Sequence, residues 1–124
     1  MSTILKREQG NLLIHVYTMP DELPDLSYLE QDYSDCTKED QAQYKAQDRE
    51  RLKAYHRGDW YMLGVCCDIA IKTDTNWVTP TVIGRSSVWG VESDSGDYLK
   101  ELAEEQISEA MHDLGNVKKA LCGN

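Results

Sequence analysis

The sequence predicts an α+β domain, in which a small, mainly antiparallel sheet of about three strands packs with two helices in the order β-α-β-β-α. Three runs of apolar or β-branched residues are bounded by proline, glycine and turn residues, as strands usually are. One segment repeats apolar residues at spacings of three and four, the period of an amphipathic helix. A further, highly charged segment opens with a helix N-cap signature. We expect residues 1–124 to form a single domain.

The three strands are predicted from their apolar runs. The first runs from Asn11 to Met19 and ends at Pro20. The second runs from Trp60 to Ile71, with a change of register at Gly64 that could be a bulge. Its expected inward face comprises Trp60, Met62, Val65, Cys67, Ile69 and Ile71.

The third strand is predicted from Trp77 to Trp89. Pro80 interrupts it and favours an edge position or a bulge, because proline cannot donate a ladder hydrogen bond. Tryptophans at strand ends usually cap a core, although an exposed one could anchor a partner. The strand ends of this chain carry Trp60, Trp77 and Trp89.

The first helix is predicted from an N-cap at Thr37, with Asp40 three residues later, to about His56, and Gly58 ends it. The second helix is predicted to start near Asp94 or Ser95. Gly115 is the candidate residue at which this helix ends, and the sequence leaves open whether the short segment after it is helical. Its apolar face comprises Leu99, Ala103, Ile107, Ala110 and Leu114.

The composition is acidic, with a net charge of −9. Such a chain should repel nucleic-acid phosphates, so we expect no direct binding to nucleic acid. Acidity can serve solubility, or it can serve binding to basic surfaces, including those that normally hold nucleic acid. No apolar run of about 18 residues and no signal peptide are recognised, so we expect a cytosolic protein without a membrane partner.

The cysteines are expected to be reduced thiols in a cytosolic chain. Cys66 and Cys67 are adjacent on a predicted strand, so their side chains should point to opposite faces and would not share a tetrahedral metal. One of the pair is expected to be a small buried hydrophobe.

The sharpest charge pattern is a pair of stripes, each with one residue every four positions along a helix. The basic stripe on the first helix comprises Lys45, Arg49, Lys53 and Arg57. The acidic stripe on the second comprises Glu101, Glu105, Glu109 and Asp113, and Glu104 flanks it. The stripes could pair internally if the helices lie side by side, or the acidic stripe could be free to bind a basic partner.

Catalytic motifs are not found. The three histidines, His15, His56 and His112, are far apart and lie in no known motif. The acidic segment from Asp21 to Asp35 lacks the spacing and central glycine of an EF-hand. We therefore expect no cofactor, no metal and no catalytic residue.

Two segments together resemble small proteins encoded by bacteriophages and prophages, a group generally without assigned activity. One segment is Asp48–Trp60, leading into Gly64-Val65, and the other is Ser87–Ser95, followed by Tyr98-Leu99. The resemblance covers roughly residues 48–110. It implies a phage accessory protein that acts in the cytoplasm of a bacterial host.

Resemblance and charge together lead to the expected function. It is a non-enzymatic, DNA-mimicking inhibitor of a host defence complex, such as an anti-CRISPR protein, that occludes a basic nucleic-acid-binding site on a host protein or ribonucleoprotein. The alternatives are a self-associating structural phage protein, with a homo-oligomer possible, and a small metal-dependent hydrolase. The expected partner-binding residues are Asp94, Asp97, Glu101, Glu104, Glu105 and Glu109.

Overall fold

A computed structural model describes residues 1–72 and 81–123. Its four strands form one antiparallel sheet in which each strand pairs with its neighbour in sequence. The strands are β1 (Ser2–Gln9), β2 (Leu12–Pro20), β3 (Met62–Ile71) and β4 (Thr81–Glu92). The helices are α1 (Lys38–His56) and α2 (Tyr98–Cys122), and a short 3-10 turn covers Ser27–Leu29.

The α+β class is confirmed, but the predicted strand number and element order are wrong. The described order is ββ-α-ββ-α, with four strands instead of about three. The missing strand is β1, which forms a hairpin with β2 through Gly10 and Asn11. Gly10 has a φ of 60°, which glycine adopts at little cost.

Helix α1 begins and ends where its local signals predict. The Thr37 hydroxyl accepts a hydrogen bond from the Asp40 backbone N–H at 3.2 Å, which satisfies one of the unpaired donors of the first turn. Gly58 follows the helix with a φ of 83°. None of the residues of α1 is fully buried, so this helix contributes little apolar surface to a core.

Helix α2 covers one face of the sheet with an apolar side of Leu102, Ala103, Ile107 and Ala110. It begins at Tyr98, later than the predicted start near Asp94 or Ser95. The predicted stop at Gly115 is wrong, because a helical glycine costs only about 1 kcal/mol and the helix continues through it. The helix ends before Gly123, which has a left-handed backbone with a φ of 74°.

Strand β3 is buried on both faces, and this corrects the predicted inward face. Successive side chains of a strand alternate between faces. Val65, Cys67 and Ile69 pack under α2, whereas Met62 belongs to a second cluster on the other face with Leu29 and Trp60. The predicted inward face therefore combined residues that belong to two different cores, one on each face of the sheet.

The change of register expected in β3 at Gly64 is not found, because the ladder of β3 with β2 is regular there; a register shift lies instead in the pairing of β3 with β4. Leu63 pairs with Val91 and Val65 pairs with Val88, so the extra residue lies in β4. Strand β4 is an edge of the sheet. Trp77 and Pro80, and the start predicted for this strand, lie outside the described residues.

Both cysteines of the adjacent pair are buried. Cys67 is in the core under α2, and Cys66 points to the opposite face. Neither helix in the described ranges is long and apolar enough to cross a membrane.

Candidate partner-binding surface

The six acidic residues predicted to bind a partner divide into two groups. Glu101, Glu105 and Glu109 lie on the exposed side of α2. Within residues 1–72 and 81–123, none of these three carboxylates has an ion-pair or hydrogen-bond partner. They are called the free glutamates below.

The other three carboxylates have a cation nearby. The Arg7 guanidinium donates to Glu104 at 2.7 Å and 3.4 Å, and this contact holds the pKa of Glu104 below its ordinary value. Arg51 donates to both oxygens of Asp94, at 2.7 Å and 2.6 Å. Asp97 lies 3.8 Å from Lys100, and its side chain is almost fully exposed.

The basic stripe and the acidic stripe do not pair with each other in the described structure. Lys53 and Arg57 contact the nearby carboxylates of Glu50 and Asp59 instead. The reason is placement, because α2 lies on one face of the sheet and α1 packs onto the cluster of the other face. Of the two arrangements left open by the sequence, internal pairing of the stripes is thus not found among the described residues. Asp113 accepts a hydrogen bond from the backbone N–H of Arg85 at 3.3 Å.

The core under α2 fixes where the free glutamates point. Leu102 and Ile107 are buried against the sheet, with Ala103 and Ala110 fully enclosed. Gly84 allows the close approach of the helix, since a Cβ there would lie 3.0 Å from the Ala110 carbonyl oxygen. The free glutamates therefore project from the part of α2 whose opposite side is buried, from Leu102 to Ala110.

The segments Asp48–Trp60 and Ser87–Ser95 meet in one ionic cluster. Arg51 of the first segment binds Glu92 and Asp94 of the second. Its guanidinium carbon lies 3.9 Å above the centroid of the Trp60 ring, and the Trp60 indole N–H donates to the Arg51 carbonyl at 3.0 Å. Tyr28 donates to Glu92 at 3.3 Å.

This cluster shifts the proton affinity of its members. The hydrogen bonds from Arg51 lower the pKa of Asp94. Burial, with a contribution from Glu92, raises the pKa of Tyr28 to about 12. Arg51 lies outside the basic stripe, so the charge pattern did not reveal it.

A cleft of about 520 Å³ lies beside the cluster. Arg51, Glu92 and Asp94 form its charged side, and Tyr98 and Leu102 of α2 form another. Arg51 pairs with both carboxylates and offsets one of their two charges, so this side of the cleft is a structural junction.

A polar row crosses the sheet face opposite α2. His15, Asp68 and Arg85 are paired in register on β2, β3 and β4. Arg85 lies 3.2 Å from Asp68, and the Tyr17 hydroxyl donates to the same carboxylate at 3.2 Å. Burial, followed by the charge of Asp68, raises the pKa of Tyr17 to about 12.

The buried thiols are poor nucleophiles. Burial raises the pKa of Cys66, and it raises the pKa of Cys67 to about 12. Since the thiolate is the reactive form, both side chains act as small apolar groups at neutral pH. Over the described ranges, no group of three His, Cys, Asp or Glu side chains is arranged to hold a metal ion.

Comparisons of the chain with protein-family models, with curated proteins and with solved structures find no match.

Proposed function

We propose that this protein is a non-enzymatic inhibitor that uses the free glutamates of α2 to cover a basic, nucleic-acid-binding surface of another protein. The observation that carries the proposal is the contrast on one helix. Glu104 is neutralised by Arg7, whereas Glu101, Glu105 and Glu109 have no cation within the described parts of the chain. Like charges four residues apart on a helix are mildly unfavourable, and an external cation would relieve that repulsion.

The spacing of the free glutamates sets the size of the expected contact. Residues four apart on an α-helix rise by about 6 Å, whereas one strand of B-DNA carries a charge about every 3.4 Å. The row of free glutamates thus has roughly half the linear charge density of one DNA strand. It suits a contact with a few lysines or arginines, and it is too short and too dilute to imitate a long duplex.

The biological setting proposed here is a bacteriophage protein in the cytoplasm of its bacterial host. The target would be a host defence complex with a basic nucleic-acid channel, of which a CRISPR–Cas ribonucleoprotein is the most concrete example. The resemblance of Asp48–Trp60 and Ser87–Ser95 to phage proteins supports this setting, and the net charge of −9 agrees with a basic target.

The test is inhibition of DNA binding by purified, guide-loaded CRISPR–Cas effector complexes, measured by electrophoretic mobility of a labelled target duplex. The wild-type protein is expected to inhibit binding by at least one complex. The Glu101→Lys/Glu105→Lys variant is expected to lose that inhibition, because reversed charges repel the basic channel.

The matched control is Glu30→Lys/Asp35→Lys, which changes the net charge equally at two exposed carboxylates away from α2. It should inhibit as well as the wild type. Equal inhibition by the folded Glu101→Lys/Glu105→Lys variant would exclude the free glutamates as the binding surface. Lack of inhibition of any complex by the wild type would exclude this class of target.

Self-association is the second candidate function, and one observation favours it. Lys45 and Arg49 of the basic stripe have no ion-pair partner in the described ranges, and their spacing matches that of the free glutamates. The acidic stripe of one copy could therefore pair with the basic stripe of another. Sedimentation at low and high salt separates the candidates, because an assembly of this kind would dissociate as salt screens the charges.

A further inference from the structure

An indole ring lies over a glycine on the sheet face opposite α2. Met19 of β2 pairs in register with Gly64 of β3, and Trp89 comes from β4 beside them. A Cβ at Gly64 would lie 2.6 Å from Cδ2 of Trp89, so the six-membered part of the indole rests directly on the glycine backbone. Its N–H donates to the Ser87 hydroxyl at 3.2 Å. Glycine at this position thus leaves the space in which the Trp89 ring packs against the backbone.

The Trp89 ring is half exposed and forms one wall of a pocket. Trp89 is 48% exposed, although one side of its six-membered ring is covered by Gly64. The pocket has a volume of about 440 Å³. Its walls comprise Met19, Pro20, Asp21, Glu22, Leu23 and Trp89.

The pocket combines an aromatic wall with acidic residues. Leu23 is 91% exposed and Met19 is 41% exposed, so apolar surface is open to solvent around the ring. Asp21 accepts a hydrogen bond from the Leu23 backbone N–H at 3.1 Å, which fixes the loop. Neither Asp21 nor Glu22 has a cationic partner within the described ranges. The charge of this pocket is therefore uncompensated.

Elsewhere in the same molecule, a tryptophan ring and two carboxylates together bind an arginine side chain. At the ionic cluster, the guanidinium of Arg51 stacks on Trp60 while it pairs with Glu92 and Asp94. The pocket repeats two parts of this arrangement, a tryptophan ring and two carboxylate residues, and the described residues place no cation in it.

We propose that the Trp89 pocket binds an arginine side chain presented by a partner protein. Arginine suits the pocket better than lysine because its flat, weakly hydrated guanidinium stacks on an indole and pairs with a carboxylate at the same time. Its aliphatic stem would cover the exposed surface of Met19 and Leu23. The site lies on the opposite sheet face from the free glutamates, so it does not depend on the function proposed for them.

The experiment follows the indole N–H signals in a ¹⁵N–¹H correlation spectrum of the intact protein. The chain has three tryptophans, and the signal absent from a Trp89→Phe variant identifies Trp89. The probe is N-acetyl-arginine methylamide. The controls are the citrulline analogue, which has the same shape without the charge, and the lysine analogue.

The arginine probe is expected to shift the Trp89 signal saturably in the millimolar range and to leave the buried Trp60 signal in place. The citrulline analogue should give no saturable shift, and the lysine analogue should bind more weakly. Glu22→Gln should weaken the arginine probe by about 2- to 5-fold, the change expected for loss of one exposed charged contact. Trp89→Leu, followed at the Leu23 amide, should weaken it similarly.

An unmoved Trp89 signal would overturn the proposal, and so would equal shifts from arginine and citrulline. Tighter binding of the lysine analogue would overturn the assignment to arginine. The Glu101→Lys/Glu105→Lys variant should bind the probe as the wild type does, so a failure of the function proposed for α2 is distinguishable from a failure here.

Discussion

The two helices of this protein are held in place by different kinds of interaction. Helix α2 buries Leu102, Ala103, Ile107 and Ala110 against the sheet. Helix α1 has 19 residues, against 25 in α2, and none of them is fully buried. Its attachment depends on Leu52 and Tyr55 beside Trp60, and on the ion pairs of Arg51. Apolar burial thus anchors α2, whereas α1 depends on this cluster and on the contacts of Tyr33 with Asp48 and Tyr44.

This difference has a consequence for charge placement. Along α2 a continuous apolar side leaves the opposite side free for like charges, since the helix does not need them for attachment. Along α1 the key residue for attachment is itself charged, and its partners Glu92 and Asp94 are thereby withdrawn from external binding.

The largest expected effect comes from weakening the anchor of α2. Leu102 is 4% exposed, and Leu102→Ala should reduce the free energy of unfolding by about 2–5 kcal/mol, through lost burial and the cavity left behind. Urea denaturation followed by circular dichroism measures the change. The control is Leu121→Ala, at a side chain that is 82% exposed, and it should change stability by no more than about 0.5 kcal/mol. Similar losses in both variants would contradict the contrast.

Breaking the anchor of α1 should have a smaller and more local effect. Arg51→Met removes two charge-assisted pairs and the stacking on Trp60, so we expect a loss of about 1–2 kcal/mol. Hydrogen exchange should become faster in α1 and remain slow in α2. Arg49→Met is the matched control, because Arg49 is exposed and lies two residues from Arg51 on another side of the helix, and it should leave exchange unchanged. Equal acceleration in both helices would show that they are not anchored separately.

The smallest effect expected is a dependence of stability on pH. Because Arg51 lowers the pKa of Asp94 in the folded state, the unfolded chain binds the proton more readily. The stabilisation is therefore complete above the ordinary aspartate pKa of 3.8 and is lost as the pH falls through the folded-state pKa. Asp94 is half exposed, so the loss should stay below about 1 kcal/mol.

Urea denaturation at a series of acidic pH values measures this contribution. The wild type should lose more stability on acidification than Asp94→Asn does, and Arg51→Met should resemble Asp94→Asn. An identical pH dependence in all three proteins would rule out the contribution of the Arg51–Asp94 pair.

Local signals in the sequence were sufficient for some elements. The N-cap at Thr37 and the glycine at Gly58 predicted α1, and the spacing of apolar residues predicted the buried side of α2. Strand β1 was missed because Lys6, Arg7 and Glu8 conceal an apolar pattern. The two-residue connection Gly10-Asn11 was the available hairpin signal.

The incorrect predictions concern features that long-range packing determines, namely the face on which a buried residue lies and the partner of a charged residue. Burial of Met62 and Val65 was predicted correctly, but their cores lie on opposite faces of one strand, which spacing along the chain did not separate. The charge of α2 was visible in the sequence, yet only the fold shows that Arg7 of β1 neutralises Glu104 and that Arg51 neutralises Asp94. A pairing across many residues leaves no local pattern.

The order of the strands also bears on how the chain folds. The sheet consists of two hairpins between neighbours in sequence, β1–β2 and β3–β4, and the β2–β3 ladder joins them across residues 21–61. Closing that long connection has an entropic cost that grows slowly with its length, by about 0.6 kcal/mol for each doubling. The connection can therefore accept inserted residues at little cost, provided that they spare the turn that carries Leu29 and the Arg51 cluster. The β2–β3 ladder is therefore the contact that joins the two hairpins into one sheet.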